Sequence, residues 1–242
     1  MLVDAETDDE FQAYLDQMEQ RLYLDMVPVL TAGVRLQVKR GSIQAEDYVN
    51  ARGAPILLRH YTRVYRDQYR AVSAAEREAE AKAASITRFL AEQLRWIARE
   101  AGRQIRRISE SLRRDIADMV LAMVRDGKSN DVIARELSRQ APEIAKPRAA
   151  TIARTETHNS ALAAVDAALA YKKIKVRTKT WWSAQDKRVR DTHREAHGQT
   201  VDYDQPFTVG GAAMMRPGDD SMGAGPQEII NCRCAVLFNL RR

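Results

Sequence analysis

The residues best suited to chemistry are two histidines and two cysteines near the C-terminus. His193 and His197 are four residues apart, which places them on one face of a helix, and Cys232 and Cys234 are separated by one residue. Two imidazoles and two thiolates are a ligand set that Zn²⁺ prefers in tetrahedral sites. These four residues are therefore candidate ligands for a zinc ion, although no cofactor is predicted.

A metal-free, hydrogen-bonded structural cluster is the interpretation that the sequence favours for the same residues. The Cys-x-Cys gap is tighter than the roughly two to four residues usual in zinc sites. On a regular strand the two thiols would lie about 6–7 Å apart. In this interpretation the polar residues of one loop pair with one another: Asp186, Arg188, Arg190 and His193. Asn231 would then satisfy the backbone of a turn.

Other catalytic signatures are absent from the sequence. It contains no glycine-rich phosphate loop, no nucleophile elbow, no His-Glu-x-x-His string and no obvious pair of inward-facing carboxylates. His60 and His158 have no evident partners and are interpreted as surface or core residues. We therefore expect a protein that is not an enzyme.

The first half of the chain is predicted to be helical almost throughout. Apolar residues spaced four, three and four apart define one face of a first helix: Phe11, Leu15, Met18 and Leu22. Pro28 is expected to kink or interrupt that helix. Gly41 marks a break, after which a second helix is predicted from about Ala45. A bend is expected at Gly53 and Pro55.

A long helix is predicted from about Ser73 to Arg125, because this stretch is rich in Ala, Glu, Arg and Leu and contains no proline. Its apolar residues follow an eleven-residue repeat, which gives an almost straight stripe. The stripe comprises Leu90, Leu94, Ile97, Ala101, Ile105, Ile108, Leu112, Ile116, Met119 and Met123. It packs either against helices of the same chain or against other copies or another protein. Gly127 is expected to terminate this helix.

Two prolines divide the next helical stretch in the prediction. A short helix over residues 131–140 is expected to end before Pro142. Pro147 suits the first turn of a longer helix that continues to about Lys172.

Beyond that helix the apolar period changes from helical to alternating. A strand with a basic outer face is predicted over residues 174–180, and further strands are predicted at 203–209 and 234–238. The expected fold class is α+β. An elongated all-α body at residues 1–127 precedes a small α+β domain at residues 128–242.

The net charge of +6 lies entirely in the C-terminal part, since residues 146–242 contain 16 Lys and Arg against 10 Asp and Glu. Such a basic segment favours contact with a polyanion, and DNA is the usual candidate; a solvated basic surface is the alternative. The candidate DNA-binding residues are Lys172, Lys173, Lys175, Arg177 and Lys179. Trp181 and Trp182 are interpreted as core residues rather than platforms for bases.

Five short strings follow one another in the C-terminal half. They are Ala-Arg-Thr-Glu at 153–156, Trp-Ser-Ala-Gln-Asp-Lys-Arg-Val-Arg-Asp-Thr-His at 182–193, Gly198, Arg-Pro-Gly-Asp at 216–219 and Asn-Cys-Arg-Cys at 231–234. Their motif residues are Arg154, Glu156, Trp182, Asp186, Arg188, Arg190, His193, Pro217, Gly218, Asp219, Asn231, Cys232 and Cys234. Over residues 128–240 this series resembles the C-terminal domain of the Mu F-like head morphogenesis family of phage minor capsid proteins.

The resemblance implies a minor head protein made in the bacterial cytoplasm and carried in the virion head. Its partners would be the portal protein, the major capsid protein or both, with packaged double-stranded DNA as a further contact and several copies per virion. Membrane partners are not expected, because no stretch has the roughly 18 to 20 apolar residues needed to span a bilayer and the N-terminus is acidic. Two cysteines give no secreted disulfide framework, which fits a reducing compartment.

Two alternative functions remain at this stage. One is a DNA-binding protein that acts outside the virion. The other is an ADP-ribosyltransferase-like enzyme, since toxin domains of that kind are sometimes fused to members of the family. The chain ends at Arg242, soon after the last motif, which leaves no expected room for such a domain.

The first motif string lies on a predicted helix. Arg154 and Glu156 are two residues apart and so point to different sides of it. Arg154 is expected to reach the C-terminal loops and Glu156 to meet Ser160. Together they would fasten the helix to the strands that follow.

Overall fold

The structure, a computed structural model, describes residues 5–40, 42–75 and 83–240. Four long helices come first: α1 Ala5–Arg40, α2 Ser42–Ala75, α3 Ala83–Arg125 and α4 Asn130–Tyr171. The rest of the described chain contains two short helices, α5 Asp191–Glu195 and α6 Pro226–Ile229, and five strands. The strands are β1 Val176–Trp182, β2 Thr200–Asp202, β3 Phe207–Val209, β4 Ala212–Met214 and β5 Ala235–Leu240. The predicted α+β class is confirmed.

The prolines do not end the helices that contain them. The prediction that a helix ends before Pro142 is wrong, because α4 continues through both Pro142 and Pro147. An interior proline costs about 3 kcal/mol, since it removes one backbone hydrogen bond and crowds the preceding turn. Buried residues spaced four apart offset this cost: Ile133, Leu137, Ala141, Ala145 and Ala149. Pro28 likewise does not interrupt α1.

The ends of the long helices differ slightly from the prediction. Helix α2 begins at Ser42 rather than near Ala45, while Gly41 lies outside the described residues. Of the long helix predicted from Ser73, the first three residues belong to α2 and residues 76–82 also lie outside the described part.

Gly127 ends α3 as predicted, with a left-handed φ of 75°. The Gly127 amide donates to the Val124 carbonyl and the Lys128 amide donates to the Met123 carbonyl, each at 3.0 Å. This pair of bonds is a Schellman motif, which satisfies carbonyls that the last helical turn leaves open.

The apolar stripe of α3 is largely buried within the chain. Seven of its ten residues are buried: Ile97, Ala101, Ile105, Ile108, Leu112, Ile116 and Met123. Leu90 and Met119 are half-buried, whereas Leu94 departs from the pattern with 52% of its surface exposed. The eleven-residue repeat therefore marks a core-facing stripe.

One of two compact units, called here the helical unit, combines residues 19–61 and 94–153; its described residues are helical except for the turn between α3 and α4. Helices of this unit approach each other closely at two glycines, which have no side chain. A Cβ atom on Gly53 would lie 2.2 Å from Cδ1 of Ile105, and one on Gly33 would lie 2.5 Å from Cγ2 of Val49. Between α3 and α4 of this unit, Arg148 donates to Asp115 and to Ser111.

The other compact unit combines residues 1–18, 62–93 and 154–242. Its helical part contains a cluster of stacked and edge-on rings. Phe89 lies 4.6 Å from Tyr69 and 5.3 Å from Tyr171, measured between ring centroids. The predicted boundary after residue 127 lies two residues beyond the end of α3 at Arg125, and each compact unit contains residues from both sides of it.

Strands β2, β1 and β5 form an antiparallel sheet in that order, and β3 and β4 form a separate hairpin. The predicted first strand corresponds to β1, displaced by two residues toward its end, and the predicted last strand corresponds to β5. The strand predicted over 203–209 is wrong in its first half, because Tyr203 to Pro206 form a turn that leads into β3. Among the described residues, no helix is long and apolar enough to cross a membrane.

Candidate functional site

His193, Cys232 and Cys234 form a buried cluster within the second compact unit. Nδ1 of His193 lies 3.3 Å from Sγ of Cys234 and 3.6 Å from Sγ of Cys232. The three ligand atoms all lie within 4.8 Å of one another, and each residue is only 2% exposed. Both cysteines are free thiols. Three of the four predicted ligands are therefore brought together.

The position of the two thiols follows from a turn rather than a strand. Cys232 and Cys234 lie between α6 and β5, and Asn231 just before them has a left-handed φ of 58°. The Cys232 amide donates to the carbonyl of Ile229, which closes this turn. The expectation of thiols about 6–7 Å apart applied to a regular strand. Because the chain turns here, both sulfur atoms face the same imidazole.

Glu228 fixes the orientation of the histidine ring. Its Oε2 atom lies 3.0 Å from Nε2 of His193 and 2.9 Å from Oγ1 of Thr192. The carboxylate accepts a hydrogen bond from Nε2–H of His193, so the lone pair of Nδ1 faces the thiols. Sequence reasoning missed Glu228, although its position four residues before Cys232 on a short helix could have drawn attention to it.

His197 does not join the cluster. Its Nδ1 atom accepts the Ser183 amide at 3.1 Å, and its ring lies 4.6 Å from the Trp182 ring. Nε2 lies 3.3 Å from the side-chain nitrogen of Gln185. The helix that begins at Asp191 ends at Glu195, so the four-residue spacing does not place both histidines on one helical face.

Burial and mutual hydrogen bonding control the protonation of the thiols. The hydrogen bond from Cys232 lowers the pKa of Cys234 against the effect of burial, and His193 acts in the same direction. Burial raises the pKa of Cys232. The cluster therefore favours a thiolate at Cys234, which accepts a hydrogen bond from the Cys232 thiol.

His158 and Trp181 enclose the cluster. Nε2 of His158 lies 2.6 Å from the carbonyl oxygen of Cys234, and burial lowers the pKa of this histidine. The Trp181 ring packs edge-on against His193 at 5.4 Å and is fully buried. Both are thus core residues, one of the two alternatives predicted for His158 and the interpretation given to Trp181.

A thiol, an imidazole and a carboxylate in line are also the components of a nucleophilic catalytic triad. Such a triad needs a nucleophile that a substrate can reach. Cys232, Cys234 and His193 are almost wholly buried, and an extended substrate cannot contact them. The side chains of Cys232, Cys234 and His193 are also of the types that bind metal ions, and a single ion needs far less space than an extended substrate.

The loop before His193 is held mainly by a residue that sequence reasoning missed. Arg233 donates to both carboxylate oxygens of Asp186, at 2.6 and 2.7 Å, and this pairing lowers the pKa of Asp186. Asp186 also accepts the Arg188 amide at 2.8 Å and its guanidinium at 3.3 Å. Arg190 donates instead to the carbonyl of Ile230. Of the loop residues that were expected to pair with one another, Asp186 and Arg188 therefore do so, whereas Arg190 does not.

The Ala-Arg-Thr-Glu string fastens α4 to the turn that carries the cysteines. Arg154 lies 3.4 Å from Oδ1 of Asn231, and the Asn231 amide donates to Oγ1 of Thr155 at 3.1 Å. This confirms the predicted reach of Arg154 to the C-terminal loops. Glu156 is buried, and the Ser160 hydroxyl donates to the carbonyl of Thr157.

The Arg-Pro-Gly-Asp string packs a second loop on α4. Asp219, 4% exposed, accepts the Met215 amide at 3.2 Å and the Ser221 hydroxyl at 2.7 Å. Gly218 has a φ of 77°, and a Cβ atom there would lie 1.8 Å from Oδ1 of Asn159. Only glycine fits this position, and Pro217 beside it is buried.

The predicted basic surface of β1 requires one correction. Lys173, Lys175 and Arg177 are exposed, but Lys179 is only 3% exposed and cannot contact DNA in this conformation. Its Nζ atom donates to the carbonyl of Met215 at 2.7 Å and lies 5.2 Å from the Phe207 ring. The hairpin and the Asp219 loop cover this end of the strand face, which local alternation does not reveal.

Lys172 is half-buried, and its Nζ atom lies 5.3 Å from the centre of the Tyr69 ring. The Lys172 ammonium group, like that of Lys179, therefore makes a cation–π contact within the chain. The exposed part of the predicted basic surface is reduced to three residues.

Two comparisons with known proteins give matches. The model of the family described as "Phage Mu protein F like protein" matches residues 114–237, about half of the chain. The chain is also similar to the NAD(+)--arginine ADP-ribosyltransferase EFV of Enterococcus faecalis, with 30% identity over 132 residues. This match covers 53% of the chain and 26% of that relative, so the chain spans about a quarter of its length. No solved structure shows significant similarity.

Proposed function

The chain belongs to the family of phage Mu protein F like proteins, and on this premise we propose that it is a phage minor head protein that acts in head assembly at the portal vertex. The observation that carries the proposal is the family match over residues 114–237, which contains all five motif strings.

The contacts of the motif residues support a structural role. Arg154, Asp219 and Asn231 make hydrogen bonds that hold one element of the chain to another. None of these interactions directs a reactive atom toward open solvent. A protein that serves as an assembly component needs a stable shape of this kind rather than a substrate cleft.

The helical unit offers a contact surface for a virion partner. Leu121 and Val124, three residues apart near the end of α3, are 53% and 52% exposed. Exposed apolar side chains that share a helical face are typical of surfaces that bury them against another protein. We assign the contact with the portal or the major capsid protein to this end of α3.

Co-sedimentation with portal assemblies and with empty heads tests the proposal. The full chain should bind at least one of them saturably, and Leu121→Gln combined with Val124→Gln should weaken binding about tenfold or more, because each buried apolar side chain contributes on the order of 1.5–3 kcal/mol. Arg114→Gln, an exposed change on the same helix, is the matched control and should leave binding unaltered. Failure of the unaltered chain to bind either particle contradicts the proposal.

A contact with packaged DNA is the second part of the proposal, supported by the exposed Lys173, Lys175 and Arg177. Replacing all three by Gln should reduce the salt dependence of duplex binding by up to about three units of slope, since each phosphate contact contributes roughly 0.9. Replacing three exposed cations of the helical unit by Gln gives the matched control: Arg99, Arg125 and Lys128. An equal loss in both variants contradicts a specific DNA surface at residues 173–177.

The two binding experiments together also distinguish the alternative functions. Duplex binding without binding to portals or heads would favour a DNA-binding protein that acts outside the virion. The similarity to an arginine ADP-ribosyltransferase supports a second candidate, an activity that transfers ADP-ribose from NAD⁺ to arginine. We expect the chain to lack it, because the match spans only 26% of that relative and the described motif residues serve packing.

A further inference from the structure

We propose that His193, Cys232 and Cys234 bind one Zn²⁺ ion, which stabilises the C-terminal domain, with water as the fourth ligand. The proposal is independent of the role in head assembly. It uses three of the four candidate ligands named from the sequence, because the fourth, His197, is hydrogen-bonded to Ser183 instead.

The distances between the ligand atoms fit a tetrahedral ion. With Zn–S bonds of about 2.3 Å and Zn–N bonds of about 2.0 Å, the nitrogen-to-sulfur edges of a tetrahedron are roughly 3.5 Å. The observed separations from Nδ1 of His193 are 3.3 Å to Cys234 and 3.6 Å to Cys232. Both separations match these edges, and all three ligand atoms lie within 4.8 Å of one another.

Glu228 supplies the outer partner that metal-binding histidines normally have. A histidine ligand usually donates its second ring N–H to a carboxylate or carbonyl, which fixes the tautomer and increases the basicity of the other nitrogen. Here Oε2 of Glu228 lies 3.0 Å from Nε2 of His193, leaving Nδ1 as the ligand atom. The Thr192 hydroxyl in turn orients Glu228.

The types of the ligand atoms indicate which metal ion the site prefers, and their burial indicates whether the ion serves stability or catalysis. Two thiolates and one imidazole favour Zn²⁺ over the hard ions Mg²⁺ and Ca²⁺, which prefer oxygen. On binding, the two thiols release their protons to solvent, while His193 retains its Nε2 proton. Because all three ligands are 2% exposed, the ion would serve stability rather than catalysis on a large substrate.

Metal analysis of the purified full chain, made without an affinity tag, is the first measurement. We expect about one equivalent of zinc after equilibration with ZnCl₂ and removal of free metal. Replacement by Co²⁺ should give thiolate-to-cobalt charge-transfer absorption and the visible bands of a tetrahedral ion. Less than about a tenth of an equivalent of zinc, with no such absorption, would overturn the proposal and leave a hydrogen-bonded thiol–imidazole cluster.

Three variants distinguish the site from other zinc ligands on the chain. Cys232→Ser combined with Cys234→Ser should abolish zinc binding, whereas His197→Ala, the matched histidine control, should retain about one equivalent. Glu228→Gln keeps an acceptor for the Nε2 proton, and its zinc affinity, measured by competition with a chromophoric chelator, should fall about 10- to 100-fold. Full zinc content in the double serine variant would contradict the assignment.

A chelator experiment on the unaltered chain removes any dependence on whether the variants fold. Zinc removal should lower the melting temperature, and added zinc should restore it, because an ion that binds only the folded state stabilises it. The His197→Ala chain should respond in the same way. An unchanged melting temperature after verified loss of zinc would contradict the stabilising role.

Discussion

At the scale of single residues, burial controls the charge of His60 in the helical unit. It is 8% exposed, and burial lowers its pKa to about 4 from the ordinary 6.5. The neutral form is therefore retained in the folded chain under conditions in which the unfolded chain binds a proton. The stability that depends on neutral His60 is fully present above pH 6.5 and is lost as the pH falls toward 4.

The expected pH dependence can be measured by urea unfolding at pH 7 and pH 5. His60 should lower the free energy of unfolding by up to about 2 kcal/mol between these values. His60→Gln should flatten this dependence by a similar amount, because glutamine does not titrate in this range. Identical slopes for the unaltered chain and His60→Gln would contradict the account of His60.

At the scale of elements, two helical glycines illustrate how packing overrides helix propensity. Gly53 lies on α2 and Gly102 on α3. A Cβ atom on Gly53 would lie 2.2 Å from Cδ1 and 2.9 Å from Cγ1 of buried Ile105. A Cβ atom on Gly102 would meet only the guanidinium of Arg106 at 3.7 Å, an ordinary contact.

The two alanine substitutions should therefore change stability in opposite directions. Gly102→Ala should raise the free energy of unfolding by up to about 1 kcal/mol, the difference in helix propensity. Gly53→Ala should lower it by about 1–3 kcal/mol, because overpacking at Ile105 outweighs the same gain. Denaturant unfolding of both variants under one condition provides the comparison, and a stabilised Gly53→Ala chain would contradict the close approach.

At the scale of the whole molecule, the C-terminal motifs depend on residues distant in sequence. The compact unit that contains them also includes residues 1–18 and 62–93. Within it, the Tyr171 ring at the end of α4 packs on Phe89 at 5.3 Å and on Tyr69 at 5.8 Å. A domain cut at the boundary predicted from the sequence would leave these aromatic contacts unmade.

A fragment of residues 128–242 should consequently unfold less cooperatively than the full chain and bind more of a dye specific for exposed apolar surface. The loss of two ring contacts on Tyr171 alone is expected to cost about 1–3 kcal/mol. Denaturant unfolding followed by tryptophan fluorescence reports on Trp181 and Trp182 in both chains once Trp96, which only the full chain contains, is replaced by Phe. A fragment with the same cooperative transition as the full chain would show that the remaining residues suffice.

The sequence by itself determined the features that depend on local pattern. The apolar repeat of α3, its end at Gly127 and the α+β class follow from spacing and composition, because helix period and glycine conformation are local properties. The family follows from the resemblance of five motif strings to a known family. It did not reveal that α4 continues through Pro142, since the burial that offsets the proline comes from distant residues.

Only the tertiary structure decided which side chains meet. It brought Glu228 to His193 and Arg233 to Asp186, buried Lys179 under a loop and placed His197 against Trp182. Each outcome depends on turns whose direction is not encoded in the period of the surrounding residues. The left-handed turn at Asn231 is the clearest case, because it brings the thiols of Cys232 and Cys234 to the same imidazole, whereas a regular strand would hold them about 6–7 Å apart.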